Sequence, residues 1–121
     1  MANKKTLVIG ASENPDRYSN KAIHMLRRFG HEVVAIGARA GEVEDVSFEK
    51  EMKPFEAIDT ITLYLNPQNQ KAYYDYILSL KPKRIVFNPG TENSELEQMA
   101  EEHGIVPQEA CTLVLLSTGQ Y

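Results

Sequence analysis

The sequence has one cysteine, no basic cluster and no long apolar run, and each absence excludes a class of protein. Because Cys111 has no second cysteine to pair with, no internal disulfide can form, and a reducing cytoplasm is the expected location. The formal net charge is −4 and the Lys and Arg residues are dispersed, which argues against nucleic acid as the main partner. The apolar run at residues 6–9 is too short for a signal peptide or a membrane span, so we expect no membrane association.

The sequence also lacks the spacings that indicate a metal site or a catalytic set. His24, His31 and His103 are at least seven residues apart and form no pattern such as H-x-x-x-H. No Ser/His/Asp set and no pair of carboxylates can be argued from spacing. We therefore predict neither a bound metal nor catalytic residues.

Short apolar runs alternate with longer segments of helical periodicity, which is typical of a parallel sheet covered by helices on both faces. The runs lie at residues 6–10, 32–36, 60–65 and 84–87, with a weak fifth at 105–106 that Pro107 interrupts. We predict an α/β fold with a doubly wound parallel sheet of about five strands in the order 3-2-1-4-5. The length of 121 residues fits a single domain, residues 1–121.

Helices are expected between the apolar runs. Residues 19–29 carry apolar side chains on one face, and Gly30 supplies a left-handed end. Asn66 is a favourable N-cap before Pro67, and a third helix begins at Ser94. Between residues 38 and 59 we expect a loop with a short edge strand near residues 46–48, and residues 112–117 predict a last helical turn.

Ligands of doubly wound sheets bind beyond the carboxyl ends of the strands, near the point where the winding reverses. In this chain that rule brings four loops into one crevice. These loops are residues 10–19, 37–41, 66–67 and 88–93. The crevice is therefore the predicted site.

The first of these loops has the composition of a phosphate site. It joins the first strand to the first helix, where backbone N–H groups and the helix dipole favour an anion. Gly10 allows a sharp turn, Ala11 and Ser12 permit close approach, and further donors are available from Arg17, Ser19 and Lys21. The dinucleotide fingerprint G-x-G-x-x-G is absent because Ser12 and Pro15 replace its later glycines, which disfavours a pyrophosphate bound as in NAD enzymes.

The end of the second strand gives an independent indication. An NAD site usually has an acidic residue there, whereas this chain has Gly37-Ala38-Arg39. A cation at that position suits a ribose with an extra phosphate, as in coenzyme A (3′-phosphate) or NADP (2′-phosphate). The first loop favours coenzyme A over NADP.

These motifs resemble those of the small stand-alone coenzyme A-binding domains, which are similar to the nucleotide-binding domain of the succinyl-coenzyme A synthetase α subunit. The resemblance rests on G-A-S-x-N-P-x-R-x-S at residues 10–19, on Gly37-x-Arg39 and on Gly90-x-x-Asn93. It implies a Rossmann-like fold that binds coenzyme A, with Arg39 near the adenosine phosphates. It further implies first-loop contacts from Gly10, Ala11, Ser12, Ser19 and Lys21, and an adenine side lined by Leu65, Asn66 and Pro67.

Two departures from the family pattern concern the thiol end of the ligand. Phe87-Asn88-Pro89 stands where members often carry Gln, and residues 113–121 differ from the usual ending. The synthetases use a phosphorylated histidine in a second domain that this chain lacks. The chain is therefore expected to bind coenzyme A or an acyl-coenzyme A through the 3′-phospho-ADP moiety and not to be an enzyme.

Two other functions remain open from the sequence. One is an NADP-binding redox protein, and the other is an interaction or regulatory module whose nucleotide site is degenerate. The partner of such a module would be an acyl-coenzyme A ligase, or the chain would form a homo-oligomer. Cys111 is interpreted as a small buried apolar residue, with a mixed disulfide to coenzyme A as the alternative.

Overall fold

The computed structural model describes residues 3–121 of the chain. Within these residues the chain forms seven strands and five α-helices. The strands are β1 (Thr6–Ala11), β2 (Val33–Gly37), β3 (Gly41–Val43), β4 (Val46–Phe48), β5 (Thr60–Leu63), β6 (Arg84–Phe87) and β7 (Val106–Glu109). The helices are α1 (Tyr18–Arg28), α2 (Pro67–Gln70), α3 (Tyr74–Leu80), α4 (Ser94–Glu102) and α5 (Thr112–Ser117), with a 3₁₀ turn at Lys71–Tyr73 between α2 and α3.

Five of the strands form one parallel sheet in the order β2-β1-β5-β6-β7. Side chains of β1 alternate between the two faces of this sheet. Leu7 and Ile9 pack with α3 and α4, whereas Val8 packs with α1 and α5. Helices therefore cover both faces, and the predicted doubly wound, Rossmann-like α/β fold is confirmed.

The expected order of strands is wrong in one position. Counted along the chain, the five strands of the sheet run 2-1-3-4-5, because β5 pairs directly with β1. The place outside β2 is taken by the end of β4, through a parallel bridge between Ile36 and Glu49 and a bond from Gly37 N to Glu49 O (3.0 Å). The apolar pattern of β5 predicts a buried strand but does not reveal its neighbour. The winding still reverses next to β1, so the loops that follow β1 and β5 lie side by side.

The segment before β5 is more ordered than predicted. Besides the expected short strand, now β4, it contains β3, and the two pair as an antiparallel hairpin, residues 41–48. Val43, Val46 and Phe48 are buried in the core on the α1 side of the sheet. The hairpin therefore covers part of that face.

The last strand continues through Pro107, which was expected to end it. β7 extends to Glu109, and Pro107 lies opposite Ile85 of β6. A proline is tolerated there because β7 is an edge strand. No strand pairs with its outer side, so the N–H that proline lacks is not needed for a hydrogen bond between strands. The predicted turn at residues 112–117 is confirmed as α5, and the helix begun at Ser94 has Asn93 as its N-cap.

A polar cluster closes the amino end of the sheet. Tyr121 is buried, and its hydroxyl lies 2.6 Å from Thr6 Oγ1 at the start of β1. The Arg84 guanidinium lies 4.5 Å from the centre of the Tyr121 ring and donates to Thr60 Oγ1. Lys4 Nζ donates to Tyr121 O (2.6 Å). The chain from α5 to residue 121 is thereby held against the strands.

Nothing among the helices of residues 3–121 combines the length and the apolar character that crossing a membrane requires.

Candidate functional site

A crevice of about 860 Å³ lies at the carboxyl ends of β1, β2 and β5. Three of the four loops that were expected to meet there contribute to its wall, and the loop after β5 does so through Tyr64 and Leu65, just before Asn66. The lining residues are Gly10, Ala11, Ser12, Glu13, Asn14, Asp16, Arg17, Tyr18, Ser19, Ala38, Arg39, Ala40, Phe48, Tyr64, Leu65, Pro89 and Thr91. The predicted binding edge of the sheet is therefore a real concavity.

The first loop, residues 10–17, leaves β1 through a glycine that no other residue can replace without strain. Gly10 has φ +100°, and a Cβ there would lie 3.1 Å from Tyr64 Cβ and 3.3 Å from Leu65 Cδ2. The positive φ lets the chain turn toward α1, and the absent side chain lets the loop after β5 approach. Gly10 thus brings two walls of the crevice into contact.

Local hydrogen bonds fix the shape of the first loop. Ser12 Oγ accepts from Asn14 N (3.1 Å), and Asn14 Oδ1 accepts from Asp16 N (3.0 Å). Asn20, buried in the first turn of α1, donates from Nδ2 to Ser12 O (3.0 Å). These three bonds constrain the loop without any contribution from a ligand.

Several donors at the start of α1 remain open to a ligand. Within residues 3–121, no protein group accepts a hydrogen bond from the backbone N–H of Ser12 or Glu13. The N-cap of α1, Arg17, makes no side-chain cap hydrogen bond, so the N–H groups of the first turn have no cap. Uncapped amides together with the helix dipole favour an anion at this end of the helix.

The second wall is the segment after β2, residues 37–41, which we call the Arg39 arc. A Cβ on Gly37 would lie 2.6 Å from Ala11 O and 2.9 Å from the Phe48 ring, so only glycine permits this approach to β1. Ala38, Arg39 and Ala40 then line the crevice opposite the first loop. Arg39 is thereby brought to the same crevice as the start of α1.

The charges in the crevice are mixed. Arg17 and Arg39 are exposed, and within the described residues neither forms an ion pair or a side-chain hydrogen bond. Two carboxylates, Glu13 and Asp16, line the same crevice. Glu13 Oε2 accepts from Glu42 N (3.0 Å), so that side chain is directed toward the hairpin. The two free guanidinium groups are the cations available to a phosphate.

The third wall comes from the residues that follow β5 and β6, which are Tyr64, Leu65, Pro89 and Thr91. Tyr64 lies beside Gly10, and burial raises the pKa of Tyr64 to about 12, so it is a neutral phenol at physiological pH. Buried Gln70 joins this wall together, because its Nε2 donates to Leu65 O (2.8 Å) and to Thr91 O (2.8 Å). An aromatic and aliphatic surface of this kind suits the face of a base.

Buried Asn88 connects the end of β6 with its neighbours. Its Nδ2 donates to Thr62 Oγ1 (2.7 Å) and to Leu63 O (2.8 Å), while its Oδ1 accepts from Thr112 N (2.8 Å). This residue, noted in the sequence as a departure from the family pattern, therefore anchors the start of α5. Its side chain is fully used within the protein.

Some predicted site residues lie beside the crevice and not on its wall. Asn66 caps α2 by accepting from Asn69 N (2.9 Å), and Pro67 is the first residue of that helix. Lys21 is exposed on α1, with Nζ 5.5 Å from the centre of the Tyr18 ring. Gly90 has φ +92° and donates its N–H to Glu92 Oε1 (2.9 Å). Gly37 is buried behind the wall. The direct ligand contacts predicted for these five residues stay predictions.

Sequence reasoning missed several wall residues. Glu13, Asn14, Asp16 and Tyr18 lie inside the predicted loop, and Ala38 and Ala40 flank Arg39, so position along the chain could have found them. Tyr64, Pro89 and Thr91 are neighbours of predicted residues. Phe48 has no such signal, because only the folding of the hairpin brings it to the crevice.

A family model described as the CoA binding domain matches residues 4–117. The chain belongs to the CoA-binding domain family. A crystal structure of an uncharacterized protein has 50% identity and a TM-score of 0.97, with all of both chains covered. No curated protein matches the chain.

More distant members of this fold confirm the architecture alone. A protein from Thermus thermophilus has 20% identity and a TM-score of 0.86, covering 98% of this chain and 91% of its own. A hypothetical protein from Pyrococcus horikoshii has 23% identity and a TM-score of 0.85, and the match covers 96% of this chain and 83% of that protein. Both are similar to this CoA-binding domain over nearly its whole length.

The residues present fit the ligand class that the family name gives. Gly10 lets the loops after β1 and β5 meet at the crevice, and unpaired Arg17 and Arg39 offer guanidinium groups to phosphates. Among residues 3–121 no group of three His, Cys, Asp or Glu side chains could hold a metal ion. The uncapped amides and the two guanidinium groups make the crevice suited to an organic phosphate.

Proposed function

We propose that the chain binds coenzyme A or an acyl-coenzyme A through the 3′-phospho-ADP moiety and catalyses no reaction by itself. The observation that carries this proposal is the shared crevice. It joins the uncapped amides at the start of α1 with the unpaired guanidinium of Arg39 on the opposite wall. A diphosphate and a separate ribose phosphate need these two kinds of donor.

Each part of the ligand has a counterpart in the crevice. The amides of Ser12 and Glu13 and the Arg17 side chain would hold the diphosphate, because the first loop is pre-shaped and its donors are free. Arg39 would recognise the 3′-phosphate by charge-assisted hydrogen bonds. Tyr64 and Leu65 would contact the adenine.

Calorimetry with coenzyme A and dephospho-coenzyme A tests the proposal directly. A charge-assisted contact contributes on the order of 1.5–3 kcal/mol, so coenzyme A should bind about 10–150-fold more tightly. Equal affinity would remove the role of Arg39, and absence of binding by both ligands would end the proposal. Mass spectrometry of small molecules released from the purified protein should show coenzyme A or an acyl derivative.

The same calorimetry, repeated with NADP, separates the two alternative functions. An NADP-binding redox protein should bind NADP more tightly than coenzyme A. An interaction module with a degenerate site should bind neither ligand and should purify with a stable partner. We expect neither result, because the first loop lacks the two later glycines of a dinucleotide site and its donors are free.

A further inference from the structure

The Arg39 arc is fixed at its far end by a second glycine contact. A Cβ on Gly41 would lie 2.6 Å from Glu13 Cγ and 2.9 Å from the Phe48 ring. The Glu13 side chain therefore lies across the backbone of Gly41, with the aromatic ring on another side. Because the arc also meets the Phe48 ring at Gly37, both of its ends are held close to this ring.

Glu13 adds a polar contact to this packing. Its Oε2 accepts from Glu42 N (3.0 Å), although 29 residues separate the two positions. Within residues 3–121, this is the one hydrogen bond between the first loop and the hairpin. Glu13 thus joins the two walls of the crevice on the side away from the sheet, whereas Ala11 and Gly37 join them at the sheet.

We propose that Glu13 is a positioning residue that holds the Arg39 arc against the first loop and so directs Arg39 to the phosphate site. This inference rests on the proposed binding of coenzyme A. The carboxylate also brings a negative charge to a crevice that takes an anion. Glu13 therefore has two opposing effects, positioning and repulsion, which different substitutions separate.

Three variants distinguish these effects. Glu13→Ala removes both the acceptor for Glu42 N–H and the charge. Glu13→Gln removes the charge but keeps an oxygen that can accept from Glu42 N–H. Asp16→Asn is the matched control, because Asp16 lines the same crevice and, within the described residues, its carboxylate forms no hydrogen bond or ion pair with the arc. Glu13 and Asp16 are both exposed, so all three variants should fold.

The binding readout is the ratio of the dissociation constants for dephospho-coenzyme A and coenzyme A. In Glu13→Ala this ratio should fall about tenfold, toward that of Arg39→Gln. The double variant Glu13→Ala/Arg39→Gln should show the same ratio as Arg39→Gln alone. Glu13→Gln and Asp16→Asn should keep the ratio of the natural chain and bind both ligands more tightly. An unchanged ratio in Glu13→Ala would overturn the positioning role.

A measurement without ligand keeps this inference separate from the proposed function. The ¹⁵N heteronuclear NOE of the Ala38 and Ala40 amides reports motion of the arc on the picosecond to nanosecond scale. Glu13→Ala should lower it, while Glu13→Gln and Asp16→Asn should leave it unchanged. If the natural chain binds neither ligand, the proposed function fails and the NOE still decides the role of Glu13. Equal values in Glu13→Ala and the natural chain would contradict that role.

Discussion

The two ends of the sheet differ in whether their charged and polar side chains are paired with protein groups. At the amino end, Tyr121 contacts both Thr6 and Arg84, and the three side chains are buried or partly buried. At the carboxyl end, Arg17 and Arg39 are exposed, and among the described residues no protein group pairs with them. The amino end uses these groups for the fold, whereas the carboxyl end leaves the two guanidinium groups available, although Asn88 and Gln70 there bind protein groups.

This difference separates stability from binding along a single set of strands. Satisfied polar groups at the amino end stabilise the native state, since each would cost free energy if it were buried alone. Open amides and guanidinium groups at the carboxyl end contribute little to folding but can bind a phosphate. Substitutions at the two ends should therefore change different measured quantities.

The largest effect is expected for Tyr121→Ala at the amino end. The side chain is buried and contacts His31, Thr6 and Arg84, so its removal should lower the free energy of unfolding by about 3 kcal/mol or more. Tyr121→Phe keeps the ring and removes the hydroxyl, which lies against Thr6, and should cost about 1 kcal/mol. Urea denaturation measures both variants. Weaker binding of coenzyme A by Tyr121→Phe, with little loss of stability, would contradict the assignment of stability to the amino end and binding to the carboxyl end.

The next largest effect is expected for Arg39→Gln at the carboxyl end. Affinity for coenzyme A should fall by the equivalent of about 1.5–3 kcal/mol, while affinity for dephospho-coenzyme A stays nearly the same. The free energy of unfolding should change by no more than about 0.5 kcal/mol, because Arg39 is exposed. Calorimetry and urea denaturation check the two statements. A large loss of stability would show that this end also supports the fold.

The smallest effect concerns pH and His31 at the amino end. Burial, together with the charges of Lys4 and Arg84, lowers the pKa of His31, while Asp59 acts in the opposite direction. Unfolded His31 takes up a proton near pH 6.5, but folded His31 resists it, so its contribution to stability is present above that pH and is lost as the pH falls. One proton limits the slope to about 1.4 kcal/mol per pH unit.

Denaturation curves at pH 7.5 and pH 5.5 measure this slope, and His31→Asn is the control. Its Oδ1 is an acceptor that can replace His31 Nδ1, which accepts from Lys4 N (2.9 Å), but it does not titrate. The variant should lose less stability than the natural chain between the two pH values. Parallel losses in both proteins would show that His31 does not sense pH.

The parts of the fold that local patterns determine could be predicted from the sequence. β1 and β6 are buried on both faces and read as continuous apolar runs, and β6 was predicted with the bounds it has. Gly30 and the Asn66 cap act within a few residues, so their roles are visible in the sequence. The crevice follows from the rule for the carboxyl ends of parallel strands.

The remaining features depend on contacts between residues that are far apart in the chain. The position of the hairpin places the Phe48 ring against Gly37 and Gly41. No short sequence pattern predicts this position. Asn20 and Gln70 are polar helix residues, and their hydrogen-bond partners are visible only in the folded structure. Because Glu13 is separated from Glu42 by 29 residues, its contact with the hairpin could not be predicted either.

An NMR titration of the ¹⁵N-labelled protein with coenzyme A tests the central claim most directly, because it compares both ends of the sheet at once. The amide signals of Ser12, Glu13, Ser19 and Arg39 should shift, while those of Thr6, Arg84 and Tyr121 stay unchanged. Shifts confined to the amino end, or no shifts at saturating coenzyme A, would contradict the assignment of binding to the crevice.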